Sequence, residues 1–299
     1  MNSKEVKDVL RPYGHTETLY YYSKVAFALK NFLKGKEIAA KNWIPKGFMP
    51  YLIKRGSKLE PLYIEEFSCI DEKFLRTRAE IEHLDKAKSK ITKQQAKIWE
   101  YFLPRKLADL FYATNKEGAG KPIDRIFFDI DRSNLSSEQA QQIAFLLIKE
   151  IKADKQLSKF VKYKIFLMWT GSSFHIYLLF TKSQPAAFYG KHFQYSKKDP
   201  LASFTGRWAA GIDKKVKFAV GGGHERIVNR INIDPSQTPS GKLARCPFSL
   251  HMKSAREIDG VAIPVSEKQL QDKNLVKELK SYTPEKVLKE LKSLAKLIP

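Results

Sequence analysis

Apolar positions along the chain recur with two periods, and the switches between them mark the elements. Residues 16–35, TETLYYYSKVAFALKNFLKG, are apolar at helical spacing, with Thr16 or Thr18 placed to cap the start and Gly35 to stop it. Residues 36–70 hold several Pro and Gly between short apolar runs such as PLYIEEF, a pattern of strands and turns. From about residue 71 to 113 the pattern is long, charged and helical, and KEGAGKP (116–122) is a turn. The run RIFFDID (125–131) then has the length of a strand. SSEQAQQIAFLLIKEIK (136–152) reads as an amphipathic helix, with Ser136 and Gln139 at capping-box spacing and Ile143, Leu147 and Ile151 on one face. KYKIFLMWTGSSFHIYLLF (162–180) predicts a hairpin about TGSS. Residues 181–230 are loop-rich and basic, VGGGHER being the most flexible part, and ARCPFSLHMK (244–253) is a short extended segment. In the Lys-rich helical stretch 266–297, Thr283 caps, Pro284 opens the first turn, and Val287, Leu291, Leu294 and Leu297 face inward. Strands mixed with helices predict one α/β (α+β) domain over 1–299, a mixed central sheet flanked by helices, with accessory helical segments near 71–113 and 266–297.

Charge narrows the partner. Lys and Arg total 54 against 32 acidic residues, a formal net charge of +22. Such an excess favours a polyanion, nucleic acid first and an anionic membrane surface second, although a generic basic surface has the same composition. The two cysteines, Cys69 and Cys246, form no C-x-x-C, which argues against structural zinc and against a disulfide scaffold. The first residues lack the apolar stretch of a signal peptide and no run of 18 apolar residues occurs, so the expectation is a soluble, cytoplasmic, nucleoid-associated or otherwise intracellular protein, neither secreted nor membrane-spanning.

The chemistry-bearing residues fall in three places. Side chains alternate along a strand, so Phe127, Asp129 and Asp131 share one face of RIFFDID while Ile126, Phe128 and Ile130 share the other. Two carboxylates on one strand face, roughly 6–7 Å apart, repel in a cleft unless a divalent cation neutralises them. Mg²⁺ suits such oxygens and keeps waters for phosphates. A strand end with two solvated aspartates has the same pattern. Asp234, ending the apolar stretch INID before a turn, is a third carboxylate for a two-metal site, or an Asp-Pro turn former. Gly171, Ser172 and Ser173 offer backbone N–H groups and hydroxyls to an anion, and His175 follows where a strand begins, where a histidine also serves structure alone. If RCPFSLHMK is extended, Arg245, Pro247, Ser249, His251 and Lys253 point one way, toward a phosphate or toward solvent at an edge strand. Tyr20 to Tyr22 fit helix packing better than base stacking. Tyr189, Phe193 and Tyr195 are candidates for stacking on bases, with core packing or loop anchoring as the alternative.

These segments, in this order, resemble the motifs of the archaeo-eukaryotic primase superfamily, and most of all its replicative catalytic small subunits. FFDID resembles the first motif, TGSSFH the second and NIDPSQTPSGKLARCPFSLHMK the third, with Asp234 just over a dozen positions before the proline of the S-L-H segment and VAIPV following. A weaker likeness runs through EEFSCIDEKFLRTR and LADLFYATNKEG, so that roughly residues 60–265 are covered. The resemblance implies a primase-type catalytic domain that synthesises or extends primers by template-directed nucleotidyl transfer. It implies that Asp129, Asp131 and Asp234 hold two Mg²⁺ or Mn²⁺ ions, and that Ser172, Ser173, His175, Arg245, Ser249, His251 and Lys253 line the triphosphate. Its partners would be single-stranded DNA template, a primer strand, nucleoside triphosphates, and a primase large subunit or an extension beyond residue 299.

The chain also departs from the family. Ser172 and Ser173 stand where many members carry two arginines, Glu65-Glu66-Phe67 stands for Arg-Glu-Phe, and the zinc-binding cysteines of many archaeal small subunits are absent. The lost positive charge would have to come from elsewhere, with Arg76, Arg78 and Arg226 as candidates. A non-catalytic nucleic-acid-binding subunit, an end-joining-type repair polymerase and, more distantly, a metal-dependent nuclease are the other readings.

Overall fold

The structure is a computed structural model that describes residues 17–44, 48–104, 107–254 and 257–299. The strands, in chain order, are β1 (Ile38–Trp43), β2 (Tyr51–Lys54), β3 (Ala108–Ala113), β4 (Ile123–Asp131), β5 (Tyr163–Trp169), β6 (Phe174–Gln184), β7 (Ala219–Gly222), β8 (Arg230–Asp234), β9 (Leu243–Arg245), β10 (Leu250–Ser254), β11 (Glu257–Val261) and β12 (Ile263–Val265). Residues 1–113, 245–262 and 282–299 group into one compact unit, and residues 114–244 with 263–281 into a second. Among the described residues no helix is long and apolar enough to cross a membrane.

In the first unit β1 pairs antiparallel with β2 on one side and β3 on the other. The helix Glu17–Leu29 buries Tyr21, Tyr22, Val25 and Leu29. Its tyrosines pack rather than face solvent: the Tyr22 hydroxyl donates to the Ala108 carbonyl at 2.7 Å and Tyr21 to that of Phe248 at 2.8 Å. Thr18 is buried within the helix and caps nothing, and Thr16 lies outside the described residues. The Thr283 hydroxyl accepts from the Lys286 N–H with Pro284 in the first turn, as the sequence predicts, and Val287 and Leu294 are buried.

Two expectations fail in this unit. IEEFSC (64–69) is a 3₁₀ turn, not a strand, because Glu66 accepts from the Tyr63 N–H at 2.8 Å and ion-pairs with Lys97. The helical stretch does not run to residue 113: helices Glu72–Glu80, Leu84–Ala87 and Lys93–Tyr101 give way to β3, whose apolar ADLFYA is claimed by β1 with Ile38 opposite Tyr112. Non-local pairing outweighs helical propensity there.

The second unit is built on a six-stranded sheet of order β12-β5-β6-β4-β8-β7, antiparallel except for the parallel β7–β8 pair. The predicted hairpin is β5–β6. Ile126, Phe128 and Ile130 are buried with Ile176, Ile231 and Ile233 on their face of the sheet. The helix Ser137–Ala153 covers that face with Ile143, Leu147 and Ile151, and begins with the predicted Ser136/Gln139 capping box. Phe128 meets Trp208 of the helix Phe204–Asp213 edge-on, ring centres 6.0 Å apart. Asp129 and Asp131 lie on the other face, which they share with the buried rings of Phe127 and Tyr177.

Gly206 shows how tightly the second unit is fitted: a Cβ there would lie 1.5 Å from the Pro200 carbonyl oxygen. Gly206→Ala is expected to cost roughly 2–3 kcal/mol, seen as a lower urea midpoint at unchanged m-value.

Candidate active site

Strand register brings together what the sequence separates by more than a hundred residues. Asp129 on β4 lies directly opposite Asp234 on β8 and, on its other side, opposite His175 on β6. Directly opposed residues on neighbouring strands point to the same face. The row His175–Asp129–Asp234 therefore runs across three adjacent strands on the face away from the helices. Asp131, two residues on, shares that face opposite Asn232.

The electrostatics of the row are those of a site short of positive charge. Burial, and then the charge of Asp129, push the Asp234 carboxyl up from the ordinary aspartate range, while the N–H and hydroxyl of Ser236, each 2.8 Å from a carboxylate oxygen, pull it back. His175 Nε2 lies 3.4 Å from an Asp129 oxygen, too long for more than a weak contact. Its ring is held edge-on against Phe127, with centres 4.7 Å apart. The Nδ1 atom is buried and has no hydrogen-bond partner. Asp129 stays 40% exposed, so a ligand can reach it. Tyr189 is buried near Asp234, whose charge together with burial pushes its phenol up.

Asp131 faces a different partner. Arg226, 80% exposed on the loop after β7, places its Nε 2.9 Å from Asp131 Oδ2. Of the three substitute cations, Arg226 is paired with Asp131. Arg76 pairs with Glu72, and Arg78 is buried beneath Trp99, donating to the Phe102 carbonyl at 3.2 Å.

The Gly171–Ser173 turn stands at the β6 end of the row but is largely committed to itself. The Ser173 N–H donates to the Thr170 hydroxyl at 3.1 Å and its own hydroxyl donates to the Ile130 carbonyl. The Ser172 carbonyl accepts from Arg132 and from the Ser137 hydroxyl, at 3.0 and 2.9 Å. Ser172 is half-buried, with its side chain in none of these bonds.

The RCPFSLHMK residues belong to the first unit and do not form one extended face. Phe248 has φ of 63°, a left-handed turn that separates Arg245 from β10. Arg245 and Ser249 point inward. Arg245 Nη1 lies 3.1 Å from the fully buried Asp109 carboxylate and 2.7 Å from the Leu250 carbonyl. The Ser249 hydroxyl accepts from the Leu110 N–H at 2.8 Å. Pro247 is buried. His251 is half-buried with Nδ1 3.5 Å from Asp259, and the Lys253 side chain lies outside the described residues. The strand that alternation assumes is interrupted at Phe248, and Asp109, 136 residues earlier in the chain, claims the arginine.

Sequence reasoning missed Lys41 and Asp109, which face each other across β1 and β3. Lys41 Nζ sits 4.4 Å from the Trp43 ring centre and 4.2 Å from that of Tyr51. The one available signal was a lysine two positions from a tryptophan in a strand, close enough in period to share a face.

A metal can be tested against the second unit. Among the described residues no three His, Cys, Asp or Glu side chains are grouped closely enough to hold a metal ion. What exists is a pair of facing carboxylates, Asp129 part-exposed and Asp234 buried, with a third on the same face turned to Arg226. The three carboxylates supply oxygen donors, which fit a hard divalent cation such as Mg²⁺ or Mn²⁺, and His175 Nε2 is a nitrogen donor in the same row.

No family model and no curated protein matches the sequence. Among solved structures the chain is similar to the polymerase domain from Mycobacterium tuberculosis Ligase D in complex with DNA, with a TM-score of 0.55 and 16% identity over 96% of this chain and 93% of that one. The chain shares that fold, a mixed α+β arrangement.

Proposed function

We propose that the chain is a metal-dependent nucleotidyltransferase of the primase-polymerase type, adding nucleotides to a nucleic-acid strand on a template. The observation that carries this reading is the register placing Asp129 and Asp234 opposite each other, with His175 beside them and Asp131 on the same face. Divalent ions, Mg²⁺ or Mn²⁺, held by Asp129, Asp131 and Asp234 would supply charge stabilisation to the attacking hydroxyl and the departing pyrophosphate. The chain's own part is to hold the carboxylates in place on the rigid sheet and to keep Asp129 open to substrate. His175, its ring pinned by Phe127, is proposed to touch a phosphate oxygen, together with the half-buried Ser172. His251 and Lys253 remain in the proposal on the resemblance alone. Arg245, Ser249 and Ser173 leave it, because each is spent on an internal partner.

The net charge of +22 supports a nucleic-acid partner, template and primer, whose binding falls steeply with salt. Replicative priming, with a large subunit in attendance, is the finer reading drawn from the sequence motifs. A repair polymerase that extends strands without starting them is the second reading, favoured by the likeness to a polymerase domain taken from a ligase. Incubation with single-stranded template, with and without primer, in ribo- and deoxyribonucleotides and in Mg²⁺ or Mn²⁺, separates the two. Incorporation that needs a divalent ion and is lost in chelator is the expected result. Products without primer favour priming. No incorporation under any of these conditions would sink the enzymatic reading and leave a binding subunit.

A further inference from the structure

At the β7 edge of the sheet the second unit holds a pocket of about 420 Å³ that the reaction described above does not use. One wall is the ring of Tyr195 and the floor is the Gly222–Gly223 backbone at the end of β7, the edge strand of the sheet. The glycines are there for the ring. A Cβ on Gly222 would lie 2.3 Å from Cδ2 of Tyr195 and one on Gly223 would lie 2.8 Å from Cδ1, so the ring straddles both residues. The same strand makes room for a cation: a Cβ on Gly221 would lie 2.6 Å from the guanidinium carbon of Arg230, which also lines the pocket. Arg230 is held by a 2.6 Å bond from its Nε to Asn232 Oδ1 and a 3.4 Å bond from its Nη2 to the Gly222 carbonyl, which leaves its remaining guanidinium N–H groups for a ligand. Lys197 and Glu225 at the mouth form an ion pair, exposed on both sides, and His224 completes the rim.

These are the parts of a nucleotide site. An aromatic ring fixed against glycine backbone gives a rigid stacking platform, and neighbouring cations take a phosphate. The volume lies in the range of pockets that hold one small organic ligand. Of the three aromatics that the sequence offers for stacking, Phe193 is fully buried among Phe188, Phe204 and Trp208, Tyr189 is buried, and Tyr195 alone keeps an accessible surface.

We propose that this pocket, at the β7 edge of the sheet, binds one nucleotide, its base stacked on Tyr195 and its phosphate held by Arg230 and Lys197. The choice of a nucleotide over another phosphorylated aromatic molecule rests on the nucleotidyl-transfer reading. The nucleotide could be a unit of a bound strand or a free nucleoside triphosphate, and both share the base-plus-phosphate chemistry.

Fluorescence titration with 2-aminopurine tests it, in one arm inside an oligothymidylate single strand and in the other as the free nucleoside triphosphate. Stacking on Tyr195 should quench the probe. Tyr195→Ala should abolish the quenching and weaken binding roughly tenfold, whereas Tyr195→Phe should retain both. Lys197→Ala should lower the slope of log affinity against log salt by about 0.7 in the strand arm. Quenching in the strand arm alone assigns the pocket to template or primer, and in the free-nucleotide arm alone to the incoming nucleotide. A folded Tyr195→Ala protein that binds and quenches like the parent overturns the proposal. If Tyr195→Ala does not fold, the exposed Lys197→Ala decides, and an unchanged affinity and salt slope overturns it equally. A parent that incorporates nucleotides while Tyr195→Ala binds normally removes the pocket and spares the function. Tyr195-dependent quenching in a parent that incorporates nothing does the reverse.

Discussion

Asp129→Asn and Asp234→Asn are each expected to reduce nucleotide incorporation by roughly three orders of magnitude or more while leaving the fold as stable as the parent's, or more so. The two halves of that result come from one cause. Asp129 and Asp234 face each other across paired strands, and burial with the neighbouring charge raises the Asp234 pKa above its ordinary value. A carboxyl whose folded pKa lies above its unfolded one contributes stability that is fully present below the unfolded pKa and lost as pH rises through the folded one. At neutral pH the Asp234 charge is therefore a cost to the fold, and either amide removes a like-charge repulsion. Asn at 234 keeps an acceptor for Ser236, whose two bonds anchor the side chain. Adding Mg²⁺ or Mn²⁺ should raise the melting temperature of the parent, by linkage to binding, and should do so much less in either variant. Single-turnover incorporation and thermal melting at several metal concentrations check both halves. Incorporation that survives Asp129→Asn would overturn the function. An equal metal-induced shift in parent and variants would show that the ions bind elsewhere.

What could be read from the sequence was what depends on short range. The two-residue period of FFDID sends Asp129 and Asp131 to one face because pleating dictates it. The Ser136 capping box and the Thr283-Pro284 helix start are likewise settled within four residues. Asp234 is different. Nothing in INIDPSQ says which strand β8 will pair with, and only the resemblance set it beside Asp129. The register that does so joins residues more than a hundred positions apart, where periodicity is silent. The misreadings have the same origin. ADLFYA was assigned to a helical stretch because its strand partner lies seventy residues upstream. Arg245 reads as a triphosphate ligand from the resemblance and from alternation in RCPFSLHMK, because nothing local reveals Asp109, the buried carboxylate that takes it. Gly222 and Gly223 read as looseness in VGGGHER, yet they are room for the ring of Tyr195.

The Arg245–Asp109 pair gives the largest expected stability effect. Asp109 has no exposed side-chain surface and Arg245 keeps 11%. Asp109 also accepts from the Trp43 indole N–H at 3.0 Å, and Arg245 stacks over the Phe111 ring at 4.8 Å. Removing one member of such a pair strands the other charge away from water. Arg245→Ala and Asp109→Ala are each expected to cost roughly 3–5 kcal/mol, while Arg245→Met with Asp109→Leu, which leaves no stranded charge, should recover much of that loss. Burial raises the Asp109 pKa, only partly opposed by Arg245 and Lys41. Without Arg245 it should rise further, so that Arg245→Ala protein regains stability as pH falls and Asp109 takes a proton. Urea denaturation at two pH values measures this. An Arg245 that bound only triphosphate would behave otherwise: its alanine variant would melt like the parent, gain nothing in acid, and show its defect solely in nucleotide affinity. The buried carboxylate 3.1 Å from the guanidinium decides between the two, because an arginine already committed to a desolvated partner cannot turn to a phosphate without leaving Asp109 charged and unpaired.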